Sequence, residues 1–195
     1  MGRRRRHDEG TATSLLDAAE HTIAGGGPHA LSLRELARDA GTTTRAVYSL
    51  FGSKEGLLGA LGIRAFGLLE QEIRALPATG RPEDDLVEAA LAFRRFAIDH
   101  PALFAVAFHR ADPAVWPRFR DAAAQALAVL HERFEPLGEA DRLGGRSVAE
   151  AALQFRALCE GLAWVEVRGN LLTFDAETVW QSAVKALIAG FPDSA

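Results

Sequence analysis

Apolar residues recur at helical spacing along almost the whole chain, and no segment alternates apolar and polar positions as a half-buried strand would. Leu33, Leu36, Ala37 and Ala40 share one face of a short helix whose other faces carry Arg34, Glu35, Arg38 and Asp39. Ser32 and Glu35 form a capping-box pattern at its start, and Gly41 supplies the left-handed turn that ends it. Thr43 is placed to cap a second helix from Thr44 to about Phe51. Val47 and Phe51 would dock that helix inward, leaving Thr44, Arg45, Tyr48 and Ser49 facing out. Gly52-Ser53 then stops it and caps a third helix running from Lys54 to Leu76, closed by Pro77.

The remaining pattern predicts helices over 84–99, 102–109, 117 to about 133, 148–167 and 176–188, with loops at 78–82, 112–116 and 136–145. Ser147 and Glu150 form a second capping box, and Asp175 caps the last helix. The expected fold class is therefore all-α. Its expected organisation is a basic amino-terminal arm over 1–12, a three-helix helix-turn-helix domain over 13–60, and a helical bundle over 61–195.

Two short helices joined at a Gly turn put the amino-terminal end of the second where it can enter a DNA groove. Its outward side chains suit that place, since hydroxyls, Tyr and Arg bond phosphates and Arg also pairs with guanine. Arg45 contacts a base edge, or a phosphate only, or at some operators nothing. Lys54, in the first turn of its helix, opposes the helix dipole, and a partner anion would explain a cation there.

The Ser-capped helix, the Ala-Gly turn and the Tyr48-x-x-Phe51-x-x-Lys54-x-x-Leu57 run, with LLDAAEHTIAGGGPHALSLRELA before them, resemble the DNA-binding domain of the TetR/AcrR transcriptional repressors over about Ser14 to Leu61. The resemblance implies that Ser32, Tyr48 and Lys54 contact DNA phosphates and that Thr43, Thr44 and Arg45 head the recognition helix. It also implies a homodimer on palindromic double-stranded operator DNA, with a small-molecule effector and no cofactor. Thr42 departs from the family, which usually has an apolar residue there, and its hydroxyl needs a partner. The runs Arg94 to His109 and Arg156 to Asn170 resemble a subgroup with a Trp-His-Gly signature. Here Glu160 stands where the subgroup's His would be, so that likeness is used for architecture alone.

Charge changes the picture only when it is divided. The net charge is −4, but residues 1–60 carry a net +1 and residues 61–195 a net −5. The amino-terminal region is weakly basic, so phosphate affinity must come from placed contacts and from Arg3–Arg6, which read equally as an arm along the DNA backbone or as a solvated tail. A lone Cys159 rules out an internal disulfide framework, and no apolar stretch follows the arginines to make a secretory signal. With no apolar run long enough to span a bilayer, the expected location is cytoplasmic and the expected partners exclude a membrane.

The last two helices are apolar over more than one stripe, which suggests a second partner surface. Phe155 and Leu162 on one, with Trp180 and Leu187 on the other, are the predicted dimer contacts. Aromatics concentrate at Phe93, Phe96, Phe104, Phe108 and Trp116, with Phe155 and Trp164 later. Together with His100 and His109 they form the predicted effector site, an apolar pocket with a few polar groups; ordinary core packing is the alternative. No pair of His or Cys has the close spacing of a structural zinc site, and neither a Gly-rich phosphate loop nor a nucleophile with its base can be found, so no metal and no enzymatic activity are expected. The rival functions are a regulator without a ligand, or a helical ligand-binding protein or enzyme that does not bind DNA.

Overall fold

The computed structural model describes residues 2–109 and 117–192. Among these residues it is all helix, with no strand: α1 (Gly2–Gly26), a 3-10 turn (Pro28–Ala30), α2 (Leu33–Asp39), α3 (Thr44–Phe51), α4 (Lys54–Ala75), α5 (Pro82–Asp99), α6 (Pro101–His109), α7 (Pro117–Glu139), α8 (Val148–Val167) and α9 (Ala176–Ala189). The capping residues are those the sequence predicts, although at Ser32 only the serine half of the expected capping box forms. Ser32, Thr43, Ser147 and Asp175 each accept from the backbone amide three residues on, and Ser147 with Glu150 closes a full capping box.

Three boundaries differ from the reading of the sequence. Residues 2–12 are helical, because α1 already begins at Gly2 and takes in Arg3–Arg6. Arginine loses little rotamer freedom in a helix, so the run joins the helix that follows. α7 continues through Pro136 to Glu139, although a loop is predicted from 136. A proline there removes one donor, and the carbonyl it leaves unpaired belongs to Glu132, an exposed residue that water reaches. The third difference is in domain organisation. The chain divides into two compact units, one comprising residues up to Ala65 together with Pro101–Arg120, the other Phe66–His100 with the chain from Asp121 on. The expected 61–195 domain is thus interrupted: α6 packs against α1 in the amino-terminal unit.

In that first unit α1 also packs against α2 and α3, and Leu15, Ala19, Val47, Leu57 and Leu61 are fully buried. In the second unit α5 packs against α8 and α9 around Phe96, Phe134, Trp180 and Phe191. Phe134 meets Phe155 and Phe191 edge-on, with ring centroids 5.5 and 6.3 Å apart. The guanidinium of Arg133 donates to the carbonyls of Ile73, Leu76 and Pro77 at 2.8, 2.6 and 3.2 Å, closing the carboxyl end of α4 where a cation also suits the helix dipole. Among the described residues no helix is long and apolar enough to cross a membrane, and no group of three or more His, Cys, Asp or Glu gathers as a metal site.

Candidate nucleic-acid interface

Two buried residues of α2, Leu36 and Ala37, and the fully buried Val47 of α3 fix how α3 sits in its unit. Between the helices Gly41 takes φ 63°, a left-handed conformation open to glycine at little cost, and the Thr42 amide donates to the Ala37 carbonyl at 2.8 Å. Thr42 is half-buried, so its hydroxyl keeps access to water instead of being sealed in a core.

With Val47 turned inward, the opposite face of α3 is presented to solvent. Thr43, Arg45 and Ser49 are exposed, Tyr48 is 54% exposed, and Thr44 is half-buried. Positions 44 and 48, and 45 and 49, lie one turn apart, so the hydroxyls, the phenol and the guanidinium share one surface. The Thr43 hydroxyl accepts from the Ala46 amide at 3.2 Å and Ser32 accepts from the Glu35 amide at 3.5 Å, so both cap while remaining at the surface.

Lys54 is the residue the sequence describes least well. Its ammonium donates to the Leu31 carbonyl at 2.7 Å in a half-buried place, which ties the start of α4 to the entry of α2. That bond answers part of the cation's need for a partner inside the protein. A backbone carbonyl carries no sequence signal, so nothing in the residue pattern could have announced it.

The predicted effector residues are divided between the two units. Phe104 and Phe108 stack in the amino-terminal unit, centroids 5.3 Å apart, whereas Phe93, Phe96, His100, Phe155 and Trp164 belong to the other. Within the second unit Phe93 lies 6.4 Å from Trp180, and Phe155 is buried against Phe134, so both are core residues. Phe96 is fully buried and stacks on the half-exposed His100, while Arg168 covers the ring of Trp164 at 4.8 Å. Trp116 and the His109 side chain lie outside the described residues.

Two of the four predicted dimer contacts are corrected for the same reason. Trp180 is fully buried in its own unit, and Phe155 is 3% exposed, so neither faces a partner. Trp180 turns inward because its indole N–H donates to Glu166 at 2.8 Å. Glu166 in turn accepts from Arg94 through both carboxylate oxygens, at 2.6 to 3.0 Å. This bond, first among the causes, raises the Arg94 pKa above its usual value and fixes the guanidinium as a cation. Leu162 and Leu187 are half-exposed, and Leu153 and Val165 on α8 are 53% and 39% exposed. Those last two were missed by reading for apolar periodicity, which does not tell the inner face of an all-apolar helix from the outer. Elsewhere on α8 burial pushes the Cys159 thiol far up and raises the Glu160 carboxyl, the latter against the lowering pull of Arg156.

Residues 15–61 match the family described as bacterial regulatory proteins of the tetR family, and residues 86–187 match a tetracyclin repressor-like C-terminal domain. A protein of Mycobacterium tuberculosis described as an uncharacterized HTH-type transcriptional regulator is 30% identical over 183 residues, covering 91% of this chain and 79% of its own. Among solved structures, a protein of unknown function from Rhodococcus sp. RHA1 aligns with a TM-score of 0.78 at 24% identity, over 93% of this chain and 95% of the other. The transcriptional regulator FadR from Bacillus subtilis, solved in complex with stearoyl-CoA, aligns with a TM-score of 0.73 at 18% identity, over 91% and 98% of the two chains. At these identities the two structures share the fold.

Proposed function

This chain belongs to the TetR family of helix-turn-helix transcriptional regulators, and from that footing we propose that it is a homodimeric repressor reading palindromic operator DNA through α3 and released by a small apolar effector. The single observation that carries the DNA reading is the exposed face of Thr43, Arg45, Tyr48 and Ser49 opposite the buried Val47. Phosphate contacts from Ser32, Tyr48 and Lys54 position the helix, and Thr44 and Arg45 read bases. A two-fold dimer needs two half-sites about one helical turn, roughly 34–36 Å, apart. An effector that fits only the wrong spacing of the two recognition helices draws the dimer off DNA by its differential affinity alone.

Selection from a random DNA pool tests this reading: enrichment of an inverted repeat, bound with an affinity that falls steeply with salt, supports it. Enrichment without inverted symmetry, or none, defeats it. For the effector, the stearoyl-CoA held by the Bacillus subtilis neighbour makes long-chain apolar compounds the first class to screen by thermal shift. A screen in which no such compound raises the melting temperature or releases DNA favours a regulator without a ligand.

A further inference from the structure

An open cleft of about 490 Å³ lies wholly within the amino-terminal unit. Leu50 and Phe51 at the end of α3 form one wall, Gly59 and Ile63 of α4 the floor, and Arg118 and Phe119 at the start of α7 the far side. The volume falls in the range of small-molecule sites, which are mostly apolar with a few placed polar groups. Small residues on α4 open it. Gly56, Gly59 and Ala60 all line it, and Gly59 and Ala60 together offer one methyl group where two side chains could stand. The packing beside it is close: a Cβ on Gly56 would lie 1.9 Å from the Phe51 carbonyl oxygen, and one on Gly62 would lie 2.3 Å from the Phe119 ring.

Among the lining residues Arg118 is the one charged side chain, and none is acidic. It is exposed, and among the described residues it has no ion pair and no hydrogen-bond partner. A trough with apolar walls and a single uncommitted guanidinium complements a molecule with an apolar body and one anionic group, which arginine holds by paired N–H donors. We propose that this cleft is a binding site for a small amphipathic organic carboxylate, separate from the effector of the proposed function, with its carboxylate on Arg118 and its body between Phe51, Ile63 and Phe119. Because Leu50 and Phe51 are the last residues of α3, the occupant rests directly on the proposed recognition helix.

The test uses the full chain without DNA, so its outcome does not depend on operator binding. Isoleucine δ-methyl NMR reports the cleft through Ile63, while the buried Ile23 and Ile188 serve as references. Naphthoate, its neutral alcohol analogue and inorganic phosphate are titrated separately. Naphthoate is expected to move the Ile63 methyl saturably, with the references still. Arg118→Gln should weaken naphthoate about tenfold, the expected loss of one charge-assisted bond, and leave the alcohol's weaker binding unchanged. Ala60→Leu should abolish both by filling the trough, with an unaltered spectrum elsewhere. An Ile63 methyl that does not respond, an Arg118→Gln protein that binds naphthoate as the parent does, or phosphate acting as well as naphthoate would each overturn the proposal.

Discussion

On the proposed reading Lys54 carries two demands on one ammonium group, a bond within the protein and a contact with a DNA phosphate. One of its three donors is spent on the Leu31 carbonyl, and the others remain for a phosphate. Lys54→Met should therefore lower stability by about 1–2 kcal/mol, the range of a hydrogen bond to a charged group, besides weakening all DNA alike. Tyr48→Phe should weaken all sequences alike with stability unchanged, because its hydroxyl lies at an exposed site. Arg45→Ala should instead relax preference at one half-site position by about 1–3 kcal/mol. Urea denaturation beside selected-site binding separates the three, and an unchanged consensus would move Arg45 to the phosphate class. Asp175 gives a pH prediction. The Thr178 hydroxyl and amide hold its carboxyl below the usual range, so its contribution is present above the ordinary carboxylate pKa and is lost as pH falls through the lower folded value. Asp175→Asn keeps a good cap and should lose less stability than the parent over that acid window, as thermal melts across pH would show.

At the scale of elements, one carboxylate ties three helices together. Glu166 of α8 receives Arg94 of α5 and the indole of Trp180 of α9, with the Glu166 side chain 11% and the Arg94 side chain 25% exposed. Removing one partner from such a pair leaves a poorly solvated charge. Glu166→Leu should cost about 3 kcal/mol in urea denaturation, the lower end for buried pairs because Arg94 keeps some water. The double change Arg94→Leu with Glu166→Leu should recover part of that loss, since no charge is then stranded. If the double variant were less stable than the single, the pair would be a minor contributor and packing the larger one. The edge-on ring contacts of Phe134 with Phe155 and Phe191 are untouched by either change.

For the whole molecule, the proposed dimer raises the question of which apolar surface would meet a second copy. The outer faces of α8 and α9 offer Leu153, Leu162, Val165 and Leu187, while Trp180 and Phe155 serve the interior. A charge at the outer positions should break the dimer and spare the fold; at the inner ones it should break the fold. Leu187→Glu is expected to sediment as a helical monomer with weak operator binding, and Trp180→Glu to lose cooperative unfolding altogether. A Leu187→Glu protein that stayed dimeric would place the interface elsewhere.

The chain by itself determined most of the local structure. Capping residues and glycine turns act within four positions of themselves, so the ends of α2, α3, α8 and α9 followed from Ser32, Thr43, Ser147 and Asp175, and the outward face of α3 followed from the inward Val47, whereas Phe51, expected to dock beside it, is half-buried and lines the open cleft. What depends on distant partners did not follow. The bond from Lys54 to a carbonyl 23 residues away, the turning of Trp180 toward Glu166, and the packing of α6 on α1 are choices among several apolar or polar surfaces that look alike in sequence. Periodicity marks a residue as apolar on a face, but burial is non-directional, and which neighbour covers that face is decided only when the helices pack.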